Sequence, residues 1–481
     1  MPDHLSDFAA GVGHVSINPP LPADPQGFVR RAVAVREYGD PLEVRALALQ
    51  SGGASVILMT ADVTGLDWAF ADAIREQVAL ATGTPQEAVL LNSSHSHAAL
   101  WPRADGKLHG ETPDWTPGER TYMERLPYDF ATAALLAVRS MRPARVSGAT
   151  GHVSGLAVNR RERHTDGSTI LGWNRDGFVD EDVPTIRIDA LDGNAIATIV
   201  GFGCHPVCLG GEVELTGSDF IGPLRRQVEL LRGGMCLFFQ GAAGNVLPLE
   251  AFHTIAGPET SMGNRLGLEA VHCVADADPV ERTIDRIEYG SVTPIALYRR
   301  RALFPQPLQT IDFRRRLLRL PLLEPPSAAE MQSELESRLS DYETLRNDGA
   351  GRDVLNPIGY HVSWLESMLA RLQDGPLPRY LDGEVWAARI GDVAVVGAPG
   401  ELFTEIGYEV RSRSPFKTTV FAGYSQAVLG YVATPEEYPF GGYEPTVAQR
   451  GYGHPAPFSP DVAGMLVEEC VGMLNELASQ V

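Results

Sequence analysis

The chain has 481 residues, of which 44% are hydrophobic and 21% charged, and its 61 acidic and 40 basic residues give a formal net charge of −21. This size allows a large buried core, and the negative charge disfavours nucleic acid or an anionic membrane surface as a partner, because both would repel it. No segment reaches the ~20 apolar residues of a membrane span and the N-terminus lacks a signal pattern, so we expect a cytoplasmic protein without stable membrane insertion.

Short apolar runs rich in β-branched residues predict buried strands. In chain order they are SVILMT (55–60), EAVLL (87–91), AIATIVGF (195–202), MCLFF (235–239), VAVVG (393–397) and TTVFAG (418–423). Amphipathic stretches of helical length lie between them, and this alternation predicts an α/β fold with a mixed, mainly parallel sheet flanked by helices. Residues 295–383 read instead as two charged helices, which we interpret as a helical insertion in a single domain spanning 1–481.

The five cysteines do not form a disulfide pattern. They are odd in number and lie mostly in apolar runs, which predicts reduced core residues. Cys204 and Cys208 flank His205, but one Cys-x3-Cys pair is weak evidence for a metal site.

Polar residues follow several predicted strands. The run ending at residue 91 continues into NSSHSH, with His95 and His97, while later runs lead to His205 and to Glu401. Ligands of open α/β sheets bind beyond the carboxyl ends of strands, so this edge is the predicted active site. In extended backbone His95 and His97 point to one side and offer imidazoles to a metal, although a hydrogen-bonded loop explains the pair equally well.

The other residues at this edge also have structural explanations. His205 can be a hydrogen-bonded core histidine, and Glu401 can serve only the dipole of a following helix. In the glycine-rich loop QGAAGN, Gly244 and Asn245 either form a tight turn or offer amides to a substrate or an oxyanion.

Nine motifs occur in the order GVGHVSINPP, TADVTGL, NSSHSHAAL, LAVNRRER, GFGCHPVCL, SDFIGPLRRQVE, FFQGAAGNVLP, VVGAPGELFTEIG and GYVATPEEYPFGGYE. Together they cover residues 10–455 and resemble the catalytic domain of the neutral/alkaline (non-lysosomal) ceramidases. The resemblance implies a ceramidase-like catalytic domain in a shortened form, without the family's terminal immunoglobulin-like domain. It also implies a zinc-dependent hydrolase of N-acyl bonds.

The same resemblance implies roles for individual residues. The implied zinc ligands are His95, His205, Glu401 and Tyr431. Tyr438 is the alternative for the tyrosine. His97 corresponds to an active-site residue near the metal, and Arg160 to an arginine beside the scissile group.

The chain departs from the family at one position. Where ceramidases carry a serine discussed as catalytic, this chain has Leu247. Zinc-activated water needs no serine, so we predict that His97 moves the proton and Arg160 stabilises the oxyanion.

The substrate is open at this stage. We expect a small-molecule amide rather than ceramide itself, because no interfacial helix accounts for contact with a lipid surface. One alternative is a metal-dependent enzyme acting on a sugar or glycoside, with Asp219 and Glu401 as paired acids. Another is a catalytically inactive metal-containing binding protein. A homo-oligomer is also open, without a sequence signature for its interface.

Overall fold

The computed structural model describes residues 8–25, 27–29, 33–102, 115–277, 279–289, 293, 295–303 and 309–479. Its strands are β1 Ala9–Ser16, β2 Glu37–Tyr38, β3 Glu43–Ser51, β4 Ala54–Ala61, β5 Val89–Ser93, β6 Arg142–His152, β7 Ala157–Arg163, β8 Thr169–Asn174, β9 Asp182–Ala190, β10 Ala195–Phe202, β11 Leu215–Thr216, β12 Met235–Gln240, β13 Val246–Pro248, β14 Arg282–Tyr289, β15 Ile295–Ala302, β16 Ile311–Pro321, β17 Tyr380–Ile390, β18 Val393–Gly397, β19 Glu401–Leu402, β20 Thr418–Ala422 and β21 Tyr431–Val432. Its α-helices are α1 Trp68–Thr82, α2 Pro117–Arg139, α3 Ile221–Arg232, α4 Pro258–Ala275, α5 Ala328–Asn347, α6 Arg352–Asp374, α7 Thr404–Ser412, α8 Tyr443–Thr446 and α9 Asp461–Ala478.

The larger sheet has eight strands in the order β12-β10-β9-β6-β1-β3-β4-β5. Only β10 with β12 and β4 with β5 are parallel neighbours, and the other neighbouring pairs are antiparallel. The mixed α/β fold with flanking helices is confirmed, but antiparallel pairs prevail, contrary to the expectation of a mainly parallel sheet. An apolar run buried on both faces looks the same in either orientation, so the sequence pattern did not distinguish them.

A second sheet, in the order β16-β17-β18-β20, packs face to face on the first. The core between the sheets contains Trp386, which is fully buried and lies opposite Gly397 in the neighbouring strand. A Cβ on Gly397 would lie 2.4 Å from the indole, so glycine leaves the space that the ring occupies. A buried tryptophan contributes about 3–5 kcal/mol relative to alanine.

Successive residues of the central strands point to opposite cores. In β4, Val56 and Leu58 face the other sheet, while Ile57 and Met59 face helices α1 and α2. Helices α3 and α4 cover the rest of that outer face, and α7 and α9 cover the smaller sheet. Apolar residues on both faces explain the continuous apolar runs. The result is four layers in the order helix, sheet, sheet and helix. In the described ranges no helix is long and apolar enough to cross a bilayer.

The segment interpreted as a helical insertion has strands at its ends. Residues 295–302 and 311–321 are strands β15 and β16, and strand β17 begins at residue 380. The helical part is therefore narrower than 295–383 and comprises α5 and α6, which pack on each other through their own small core. The assignment of the whole chain to one domain stays a prediction.

Arg450 joins this helix pair to a 3-10 turn at Ala448–Tyr452. Its guanidinium pairs with Glu334 of α5, lies 4.4 Å from the ring centroid of Trp364 and donates to Nδ1 of His361, 3.1 Å away. Burial, followed by the positive charges of Arg450 and Arg338, lowers the pKa of His361 to about 4. The folded state therefore holds this imidazole neutral.

We expect His361 to make stability depend on pH. The ordinary pKa of histidine is about 6.5, so between pH 6.5 and about 4 the unfolded chain binds more protons at this site than the folded one. Stability contributed by the neutral imidazole is present above pH 6.5 and is lost as the pH falls towards 4. In urea unfolding at a series of pH values, His361→Gln should lose less stability than wild type over this window. Equal losses would contradict the assignment.

Candidate metal centre

Parallel strand pairs from both sheets end near one another and carry the predicted site residues. His95 follows β5, which is parallel to β4, and His205 follows β10, which is parallel to β12. Glu401 follows β18 and Tyr424 follows β20, again a parallel pair. The active-site edge predicted from the strand ends thus forms, with contributions from two sheets rather than one.

His95 and His205 each have a fixed tautomer. The Nδ1 atom of His95 lies 2.6 Å from the carbonyl oxygen of Thr64, and Nδ1 of His205 lies 2.7 Å from that of Ala243. A carbonyl only accepts, so both Nδ1 atoms carry a hydrogen and both Nε2 atoms are the ring nitrogens turned towards the centre. His95 is held in this position by a left-handed backbone, with φ of 64°. Backbone acceptors of this kind are typical of metal-binding histidines.

Glu401 faces both Nε2 atoms. Its Oε2 atom lies 3.2 Å from Nε2 of His95 and 3.0 Å from Nε2 of His205. Two phenols donate to the carboxylate, Tyr424 to Oε2 at 3.2 Å and Tyr452 to Oε1. Burial alone would raise the pKa of Glu401, but attraction to the neighbouring imidazoles outweighs it and holds the pKa well below its usual value. The group is therefore a carboxylate.

This donor set fits a divalent metal ion. Burial and the charge of Arg160 lower the pKa of His205 to about 4, so its imidazole is neutral at pH 7. Nε2 of His95 and Nε2 of His205 thus each lie within 3.2 Å of the same Glu401 oxygen, and a cation among them, a proton or a metal ion, would hold the three atoms together. Ligand atoms about 2.1 Å from a tetrahedral zinc ion lie roughly 3.4 Å apart, close to these separations. Two histidines and one glutamate also form a known catalytic zinc set.

His97 completes a cluster of three imidazoles whose ligand atoms all lie within 4.8 Å of one another. Its Nε2 atom is 3.2 Å from Nε2 of His95, and its Nδ1 atom is buried without a hydrogen-bond partner among the described residues. Burial, then the neighbouring His95 and His205, lowers the pKa of His97 well below its usual value. Unlike the other two, this imidazole has no backbone acceptor among the described residues to fix its tautomer.

Arg160 and Tyr431 close the opposite side of the cluster. The Nη1 atom of Arg160 is 3.3 Å from Nε2 of His205, and its guanidinium carbon lies 5.2 Å from the ring centroid of Tyr431. The phenol oxygen of Tyr431 is 3.4 Å from the same Nε2 atom. Burial raises the pKa of Tyr431 well above its usual value, and Arg160 offsets this only in part, so the phenol keeps its proton unless a cation binds.

A buried carboxylate holds Arg160 in place. Glu444 of α8 accepts from Nε of Arg160 at 2.8 Å and from Nη1 of Arg161 at 2.6 Å. Neighbouring strand residues normally point to opposite faces, but β7 has a register shift at this point that brings both arginines to Glu444. The Nη2 atom of Arg160 is buried and has no hydrogen-bond partner in the described ranges, so one donor of the guanidinium is left for a ligand.

Three further residues predicted for the site, Gly244, Asn245 and Tyr438, make other contacts in the structure. The amide of Gly244 donates to the carbonyl of Leu402, and the side chain of Asn245 bonds Thr404 and Glu405 at the start of α7. The backbone amide of Gly244 and the side-chain amide of Asn245 are therefore engaged and are not available as oxyanion donors. The phenol of Tyr438, the alternative ligand, donates to the carbonyl of Phe458 and makes no described contact with the cluster. Tyr431 is the tyrosine at the site.

Leu247 lies beside the cluster in an apolar group. It packs with Val158 and Val207, with Phe28 at the edge of the group. The Phe28 ring also lies 4.9 Å from that of His97, the partly exposed histidine of the three. An apolar wall therefore adjoins the histidine nearest to solvent, at the position where the family has serine.

Cysteines and Asp219 take structural roles. All five cysteines are free, and burial raises the pKa of Cys204 well above its usual value, so this thiol is no metal ligand in its protonated form. The oxygens of Asp219 accept from the backbone amides of Leu209 and Phe220. That carboxylate fastens a turn rather than facing Glu401 in a pair.

The sequence reasoning missed three residues of this centre. Tyr424 follows the predicted strand TTVFAG, so the rule of strand ends that found Glu401 would have found it too. Tyr452 and Glu444 lie in short helical turns after β21, where no local pattern distinguishes a buried site residue from a surface turn.

Comparison with protein-family models and with curated protein sequences gives no match. Comparison with solved structures shows that the fold is that of the neutral ceramidases. The neutral ceramidase from Pseudomonas aeruginosa matches with a TM-score of 0.68 and 16% sequence identity, over 99% of this chain and 75% of that chain. A ceramidase complexed with C2 matches with a TM-score of 0.64 and 15% identity, over 99% and 76%. The ceramidase-like fold implied by the motifs is thereby confirmed.

Proposed function

We propose that the protein is a zinc-dependent hydrolase that cleaves an N-acyl amide bond in a small molecule. The observation that carries this proposal is the convergence of the Nε2 atoms of His95 and His205 on the Glu401 carboxylate. The ceramidase fold supports it, because both matched structures are of ceramidases.

His95, His205 and Glu401 would hold the ion, with Tyr431 as a further ligand or donor. Bound zinc lowers the pKa of a coordinated water and polarises a carbonyl group. Tyr424 and Tyr452 fix the carboxylate through its two oxygens. The ligand set is thus rigid before a substrate arrives, as precise catalysis requires.

His97 is the proton carrier in this proposal. Its Nδ1 atom has no backbone acceptor among the described residues, so the ring is free to exchange tautomers, whereas those of His95 and His205 are not. It is also partly exposed, so a proton can pass between the site and solvent. A lowered pKa keeps it neutral and ready to accept a proton at pH 7.

Arg160 is the group placed to bind the substrate's carbonyl oxygen. Its free Nη2 donor is buried, where a charge-assisted hydrogen bond to developing negative charge is stronger than in water. The apolar wall formed by Leu247, Val158 and Val207 suits an apolar part of the same substrate. Because Leu247 bears no nucleophile, the proposed reaction uses water.

The other two functions have less support. A glycosidic mechanism needs a second carboxylate opposite Glu401, and Asp219 is instead occupied by backbone amides. An inactive binding protein has no use for a histidine with a free tautomer beside the cluster. Activity assays decide between this last alternative and the hydrolase.

Two matched substitutions test the division of roles. We expect His95→Gln to lose both bound metal and hydrolysis of N-acyl substrates, because a ligand is removed. His97→Gln should retain the metal and lose activity by about 10²–10⁴-fold, the usual contribution of a general base. Metal content and rate are measured on the same samples across a panel of N-acyl compounds. Loss of metal in both variants would make His97 a ligand and contradict its assignment as proton carrier.

A further inference from the structure

Strands β14 and β15 form a separate two-stranded sheet, which we call the arm. The strands pair with each other from Arg282 opposite Ala302 to Tyr289 opposite Ile295. Within the described ranges neither strand pairs with a third. A lone hairpin is only marginally stable in water, so a surface that covers the arm would stabilise it.

One face of the arm exposes apolar and basic side chains together. In the register Ile284 lies opposite Arg300, and Arg286 lies opposite Tyr298. Ile284 is 65% and Tyr298 66% exposed, and they are diagonal neighbours, as are the two arginines. Arg301 pairs with Asp285, and among the carboxylates whose side chains are described, which do not include Glu288, none pairs with Arg286 or Arg300.

The charge of the arm is opposite to that of the chain. Between residues 282 and 302 the sequence has five arginines and two acidic residues, whereas the whole chain has a net charge of −21. Arginine and tyrosine are enriched where protein interfaces bind most strongly. An acidic protein surface with some apolar area complements this face, while a second arm would bring like charges together.

We propose that the arm docks on the acidic body of a second copy of this chain. Two copies related by a two-fold axis would each extend an arm onto the other, which makes the same contact twice in a closed dimer. The arm's own charge excludes contact between arms as the main interface. Outside the arm the acidic residues of the chain outnumber the basic ones, so a second copy offers the arm surface of opposite charge.

Sedimentation of the full chain at low and high salt tests this proposal. We expect a dimer whose association weakens as salt rises, because exposed charges are screened. Ile284→Ser with Tyr298→Ser, and separately Arg286→Glu with Arg300→Glu, should each weaken dimerisation by at least about tenfold. Far-UV circular dichroism should be unchanged in both variants, because the four side chains are exposed.

Matched controls carry the same changes elsewhere. Leu230→Ser with Leu231→Ser alters two exposed leucines of α3, and Arg346→Glu with Arg352→Glu reverses two exposed arginines of α5 and α6. Both should dimerise as wild type does. A monomeric wild type at low salt, or equal weakening in the controls, would overturn the proposal. Binding of wild type, but not of Arg286→Glu with Arg300→Glu, to phosphatidylserine vesicles would also overturn it and assign the arm to a membrane.

Discussion

Replacing Glu401 by glutamine should remove bound metal without destabilising the metal-free protein. Glu401 supplies the negative charge among the donors, so we expect metal affinity to fall by more than about 100-fold, or roughly 3 kcal/mol. In the metal-free state its Oε2 atom lies beside the Nε2 atoms of two imidazoles, and a glutamine amide can donate a hydrogen bond to a neutral one. Metal content and urea unfolding of chelated protein measure the two effects.

Glu384 provides the matched control for this substitution. It is also a fully buried carboxylate, but it pairs with the guanidinium groups of Arg75 and Arg315. Glu384→Gln should keep the metal and lose about 3–5 kcal/mol of stability, because the buried Arg75 guanidinium would be left with the largely exposed Asp72 as its carboxylate partner. If Glu401→Gln kept its metal, or destabilised the chelated protein as much as Glu384→Gln, the metal centre described above would be wrong.

Replacing Glu444 by glutamine should produce the second large effect. Glu444 is buried and neutralises Arg160 and Arg161, so its loss leaves two buried guanidinium groups facing a neutral amide. We expect the free energy of unfolding to fall by about 3–5 kcal/mol. Arg160 also loses the contact that orients it, so hydrolysis should slow while bound metal is retained.

Glu437 is the control in the same chain of ion pairs. Glu437 forms ion pairs with Arg161 and with Arg163. Arg163 is the more exposed of the two and lies at the outer end of this series of ion pairs. Glu437→Gln should cost less, about 1 kcal/mol, because Arg163 is partly exposed to water and the buried Arg161 keeps Glu444 as a partner. Equal losses in the two variants, measured by denaturant unfolding, would show that Glu444 has no special role at the buried end.

Much of the fold follows from the apolar runs, but the second sheet does not. The continuous apolar sequence of β4 and of the equivalent strands shows only that both faces of the sheet are buried. Whether a helix or another sheet covers a face depends on contacts between distant segments. The arm and strand β16 were not predicted, for a related reason. Their exposed faces mix arginine with apolar residues, and this mixture resembles the pattern of a charged helix.

Six predicted site residues meet in the structure: His95, His97, His205, Glu401, Arg160 and Tyr431. The first four follow predicted strands, and the other two lie in motifs that resemble those of ceramidases. His95 and Glu401 show this most clearly, since both lie just beyond the ends of parallel strands. Gly244 shows where a pattern misleads. A glycine-rich loop predicts free amides, but here the glycine lets the loop approach the backbone of Glu401, where a Cβ would lie 2.4 Å from its carbonyl oxygen.

The metal content of the purified wild-type protein, measured with its activity before and after chelation, tests the central claim most directly. We expect about one equivalent of zinc per chain, as three protein donors and an open position indicate. Chelation should remove the metal and amide hydrolysis together, and added zinc should restore both. Full hydrolytic activity in the metal-free protein would contradict the account.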